Sequence, residues 1–142
     1  MLLVLRDVLQ RLLETLDRGT IKSVLLWVVL PDPRPGWTKE DGRTLVRELA
    51  RRPAFGGVDF RLAKPGHAGG IDALQQAREA IRQGEVEVAG VAGVDSYLDA
   101  ETIDWLQTDR RILNRETRAS FIPGEGAGAV LVASSSVLRM LG

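Results

Sequence analysis

The sequence predicts an α/β domain built on a largely parallel sheet of about four strands, with helices on both faces. Three observations predict it. Helical and strand-like stretches alternate in the order αβαβαβαβα, a pattern that lays crossover helices over a parallel sheet. The first strand candidate, Val24–Leu30, is apolar throughout, as a strand buried on both faces must be. The 142 residues, 44% hydrophobic and 27% charged, suffice for one domain with a substantial core.

Each element has its own signal. Leu5, Val8, Leu9, Leu12, Leu13 and Leu16 recur at helical spacing and predict a first amphipathic helix, which Gly19 closes. After the strand at Val24–Leu30, the run "PDPRPGW" is a loop, because three prolines exclude regular structure. Thr38 caps a second helix that runs to about Arg52 and is weakened by Gly42. Residues 56–64 read as a second strand. A third helix runs from about Ala68 to Gln83, with Gly84 as its stop. Residues 85–96 form a third strand rich in small side chains. A short helix over 98–109 is expected to turn Leu98, Ile103 and Leu106 inward. Residues 110–123 are irregular, 126–134 form a fourth strand, and a serine-capped helix begins at 134. There is no internal repeat and no low-complexity tract, so 1–142 is read as a single domain.

Composition excludes several functions. Nineteen basic residues balance nineteen acidic ones, which argues against nucleic acid as a partner. Cysteine is absent, and with it disulfides, thiolate metal sites and a thiol nucleophile; the absence is compatible with a cytoplasmic location. Arg6, Asp7, Gln10 and Arg11 interrupt the apolar N-terminal stretch, and no small-residue cleavage site follows. No apolar run reaches the roughly 18 residues of a membrane span. A soluble, cytoplasmic protein that does not insert in membranes is expected.

Among the motifs, "GEGAGA" at 124–129 invites a dinucleotide reading. That reading needs a strand before the glycines and a helix after them, whereas here an irregular stretch precedes and a strand follows. The glycines are better read as allowing close backbone approach at a strand entry, and no cofactor is expected. His67 is the only histidine; without a second histidine or any cysteine it predicts no metal site. It lies in "KPGHAGG", where Gly66 permits a tight turn and Gly69 and Gly70 open a helix. The unpaired N–H groups of that helix start carry partial positive charge and favour a neutral imidazole. Asp95 stands at the carboxyl end of the third strand, where α/β sheets place functional groups, although a turn-forming role before Ser96 explains it equally. The arginine pairs at 51–52 and 110–111 read as solvated surface, and Trp27, Trp37 and Trp105 as packing residues.

Taken together, "HAGGIDALQQAREAIRQGEVEVAGVAGVDS" and "TRASFIPGEGAGAVLVAS" resemble the N-terminal half of a β-ketoacyl synthase, of the thiolase-like superfamily. The resemblance covers roughly 60–134, and 20–37 is similar more loosely. It implies a three-layer thiolase-like half domain whose mixed, mostly parallel sheet ends in an antiparallel strand. His67 falls where the family keeps its nucleophilic cysteine, and Phe121 at the phenylalanine lining the acyl pocket. Arg118 matches the arginine of the family's "R-D-G-F", in which Ala119 and Ser120 replace the aspartate and glycine. Gly124, Glu125, Gly126, Ala127 and Gly128 match the glycine motif at the strand entry, and Ala92 replaces the first glycine of "A-G-G". The pocket implied at the helix start, with His67, Gly69 and Gly124, faces an acyl chain and is gated by Phe121.

The same comparison predicts three losses: the thiol, the C-terminal half that carries the decarboxylating groups, and the family's first, central strand. Counting the absent strand as the first, it separates the second from the fourth, so the strands either close up or leave a slot for another chain. The implied function is a β-ketoacyl-synthase-like domain of fatty-acid or polyketide acyl condensation, an acyltransferase family, inactive as it stands. Its implied partners are acyl carrier protein or acyl-CoA, and a second copy or a synthase subunit. The alternatives are a non-catalytic chain-length-factor type subunit, a fragment of a longer synthase-like protein, and an unrelated α/β binding module.

Overall fold

In the computed structural model, residues 1–16, 21, 23–66, 68–115 and 120–137 are described. The all-apolar stretch forms β1 (Val24–Val29), and its alternating side chains enter two different cores. Val24, Leu26 and Val28 face one side of the sheet; Leu25 and Trp27 face the other, as the period-two geometry of a strand requires. β2 (Val58–Leu62), β3 (Val88–Ser96) and β4 (Glu125–Ala133) complete a sheet of order β2-β1-β3-β4. β1 runs parallel to both neighbours, and β4 runs antiparallel to β3. This is the mixed, mostly parallel sheet that the sequence implied.

The slot expected between the second and fourth strands of the implied order is not there. β1 pairs directly with β3, from Leu25 opposite Ala89 to Val29 opposite Gly93. Closing up satisfies the backbone groups that two exposed inner edges would have left unpaired.

Helices cover both faces. α1 (Leu2–Glu14) and α2 (Lys39–Ala50) lie on one side. There Leu5, Leu9, Leu13, Leu45, Leu49 and Phe55 pack against Val24, Leu26, Val28, Val88 and Val94. Thr38 caps α2 as expected, in a reciprocal box: its hydroxyl accepts from the Asp41 N–H while the Asp41 carboxylate accepts from the Thr38 N–H. Gly42, expected to weaken α2, is buried against Leu30, where a larger residue would meet the leucine side chain. On the other face α3 (Gly69–Arg82) sets Ala73, Ala77 and Ala80 against Leu25, Trp27, Ala89 and Val91. The Trp27 indole N–H donates to Gln76 of α3 at 3.1 Å.

The remaining differences are local. α4 spans Ala100–Thr108 with Asp99 as its cap. Leu106 is buried, Ile103 is half-buried, and Leu98, expected inward, is 51% exposed because it precedes the cap and the helix. The last helix begins at 135–137 with the Ser134 hydroxyl accepting from the Val137 N–H; its continuation and Gly19 lie outside the described residues. No helix among them is long and apolar enough to cross a membrane.

Candidate functional site

A cavity of about 610 Å³ opens beyond the carboxyl ends of β1 and β3, in the size range of small-molecule sites. Its walls come from chain segments far apart in sequence: the loop after β1 (Val29 to Arg34), Gly66 before α3, the end of β3 with Asp95 and Tyr97, Trp105 of α4, and Gly126 to Gly128 of β4.

The loop after β1 is held from both sides. Arg34 and Trp37 exchange two backbone hydrogen bonds of 2.9 Å, closing a tight turn. The Thr102 hydroxyl of α4 donates to the Pro35 carbonyl at 2.6 Å, and the Gly36 N–H donates to Glu101 at 3.2 Å. This directs Arg34 inward, with its side chain only 9% exposed. One guanidinium nitrogen donates to the Asp95 carboxylate and to the Ser96 carbonyl, the latter at 2.6 Å. The guanidinium carbon lies 4.3 Å from the centre of the Tyr97 ring, close enough for a cation–π contact.

Tyr97 carries the contact onward. Its backbone N–H donates to the Gly124 carbonyl at 2.9 Å, and its ring meets Phe121 edge-on at 5.3 Å and 73°, within the favoured aromatic range. Arg111 lies over Phe121 and Trp105, at 5.9 and 5.5 Å. A bridge between Ile112 and Phe121, with the Phe121 N–H donating to Arg111 and the Leu113 N–H donating to Phe121, ties this segment together. The stretch 110–123, read as irregular, thus carries a short pairing. Arg111, read as solvated surface, stacks on two aromatic rings.

The residues expected at the site fall out unevenly. His67 and Arg118 lie outside the described residues. Gly66, one position before His67, borders the cavity and has φ +92°, the left-handed turn that glycine was expected to permit. Gly69 starts α3, and a β-carbon there would collide with the Lys64 carbonyl and press on Val29, so glycine lets the helix start seat against the loop before it. Phe121 stands behind Tyr97, and it is Tyr97 that forms the wall. Gly124 is not in the cavity wall; its carbonyl accepts the Tyr97 N–H beside it. Asp95 is more than a turn-former: its carboxylate binds Arg34 and accepts the Ser96 N–H at 2.7 Å.

The glycines stand at a strand entry, as read: Gly124 precedes β4 and Gly126 and Gly128 lie within it. Their expected role there requires a correction. A β-carbon on Gly124, Gly126 or Gly128 would meet nothing within 4 Å, so the close backbone approach expected there does not occur among the described residues. By strand alternation Gly126 and Gly128 share the face of Val132, toward α3. Val130 on that face is 48% exposed, and the glycines beyond it leave the strand bare where it borders the cavity. Sequence reasoning missed Arg34, Tyr97 and Trp105 as site residues. Tyr97, the only tyrosine, follows the strand end at which Asp95 had drawn attention; nothing local marks Arg34.

Chemically, the described walls can hold a ligand with an apolar body against Val29, Leu30 and Trp105 and polar atoms toward Asp95 and Asp32. They supply no thiol, since the sequence contains none.

Comparison with known proteins agrees with this arrangement. The family model described as "Beta-ketoacyl synthase, N-terminal domain" matches residues 66–137, just over half of the chain. A comparison with curated proteins gives no match. Among solved structures, the chain is similar to β-ketoacyl-[acyl carrier protein] synthase III of Thermus thermophilus, with 21% identity and a TM-score of 0.50 over 92% of this chain and 36% of that one. It is also similar to the ketosynthase from module 6 of the bacillaene synthase of Bacillus subtilis 168, with 18% identity and a TM-score of 0.54 over 96% of this chain and 25% of that one. The chain thus spans about a third and a quarter of their lengths. At these identities the structures establish the fold. With the family match over the turn into α3, β3, α4 and β4, the chain belongs to the family of the β-ketoacyl synthase N-terminal domain.

Proposed function

We propose that this domain binds an acyl group without condensing it, as a non-catalytic β-ketoacyl-synthase-like module of fatty-acid or polyketide-type metabolism in the cytoplasm. The observation that carries this reading is the cavity beside the turn into α3, in a member of this family whose sequence has no cysteine. The family's chemistry holds the growing chain as a thioester. At the corresponding position of the sequence stands His67, and an acyl-imidazole hydrolyses far more readily than a thioester, so it makes a poor carrier. The donor is an acyl carrier protein or acyl-CoA, and the whole chain 1–142 acts as one partial domain with no metal and no cofactor of its own.

A second element of the reading is association. β4 is one edge of the sheet, with β2 the other; it is nine residues long and its outer side is unpaired among the described residues. Such an edge is a template for pairing, which suits either a second copy or a synthase subunit that carries the missing cysteine.

Incubation with acyl-CoA and acyl-carrier-protein donors, followed by intact mass and equilibrium binding, tests the proposal. Saturable binding with no covalent adduct is the expected result. A stable adduct on this chain would refute the non-catalytic reading, and the absence of any binding would refute acyl recognition. Co-purification with a cysteine-bearing synthase from the native host supports the partner role; persistent isolation counts against it.

A further inference from the structure

The stack behind the cavity wall has one root. Arg34 touches the end of β3 by an ion pair and by a hydrogen bond to a backbone carbonyl, and the wall ring by its guanidinium face. Tyr97 follows Asp95 and Ser96 directly, so both grips of Arg34 fall on the two residues that set where the tyrosine leaves the strand. The Arg34 Nε is buried with no hydrogen-bond partner among the described residues, an arrangement that costs stability and that the ring contact offsets in part. Phe121 meets the same ring edge-on, while its backbone is held by Arg111 and Leu113.

We infer that Arg34 is the positioning residue of this cavity: by fixing Tyr97, against which the Phe121 ring packs, Arg34 sets which acyl groups the cavity admits by size. This rests on the acyl-binding reading above. Arg34 borders the cavity beside Tyr97, and its effect on size selection is exerted through that ring. A lysine in its place keeps the charge but has no planar group to lie over the Tyr97 ring while its nitrogen reaches Asp95 and the Ser96 carbonyl, so the wall loosens and size discrimination falls.

The test uses the whole chain and a series of short, medium and long straight-chain acyl thioesters of N-acetylcysteamine as probes. Arg34→Lys is expected to change the ratio of affinities for short and long probes by about fivefold or more. Tyr97→Ala is expected to change it similarly, and the double variant no more than Tyr97→Ala alone, because coupled residues are non-additive. Asp95→Asn, which leaves the carbonyl and ring contacts of Arg34 in place, gives a smaller shift in the same direction and serves if Arg34→Lys fails to fold. An unchanged ratio in the arginine and aspartate variants, or additive effects in the double variant, would overturn the inference. If no probe binds the wild-type chain, the acyl reading falls, and size selection by Arg34 falls with it. The same cycle read by near-ultraviolet circular dichroism then decides the positioning role alone: non-additive loss of the aromatic signal upholds it, and additive loss overturns it.

Discussion

The two faces of the sheet are built on different principles. On the α1–α2 face, leucines and a phenylalanine interlock with valines over a thick core, and Leu5, Leu9 and Leu49 are completely buried. On the α3 face the contact is thin: alanines at 73, 77 and 80 bring one helix close to the strands. α3 also leaves Ile71 and Leu74 exposed on its outer side, at 69% and 41%, and does not cover the end of β4. The thick face stores the stability, whereas the thin face, ending in bare glycine strand, leaves room for the cavity.

The sharpest way to break this contrast is to truncate the thick face. Leu9→Ala removes a fully buried side chain between α1 and the sheet and should cost about 3 kcal/mol, read as a lower urea midpoint with an unchanged slope. Ala77→Leu on the thin face does the opposite: it forces bulk into a contact spaced for a methyl group and should cost about 1–3 kcal/mol. If the leucine is absorbed with no loss of stability, α3 is not held close by its small residues. The smallest effect separates two glycines on neighbouring strands. Gly128→Ala, where a β-carbon meets nothing, should raise stability by about 0.5 kcal/mol, because glycine in a strand is costly. Gly90→Ala should lower it, because the new carbon would lie 2.9 Å from the Val130 carbonyl oxygen and 2.8 Å from two leucine side chains. Equal effects at the two positions would remove the distinction between a packed strand and an open one.

Much of the frame was legible because it is written locally. The continuous apolar run of β1, the Thr38 cap and the glycine after α3 each act within a few residues, and β1, α2 and α3 formed within about two positions of their expected ends. The antiparallel β4 came instead from resemblance, since no periodicity distinguishes strand direction. The site was less legible. Arg34, Asp95, Tyr97, Arg111 and Phe121 meet only because three loops converge at one end of the sheet, and no spacing within any one segment reports that convergence. Leu98 shows the same limit at small scale: hydrophobicity predicted burial, but the Asp99 cap starts the helix one residue later and leaves it outside.

The direct pairing of β1 with both β2 and β3 has a consequence for how the molecule is made. β1 leaves the ribosome before both of its partners, so Leu25 must wait for Asp59 on one side and for Ala89 on the other. Closure of such distant pairs is slow compared with helix formation. Until β3 has been made, this apolar strand therefore stays uncovered on at least one flank, and the leucines of α1, made before it, are its first available shelter.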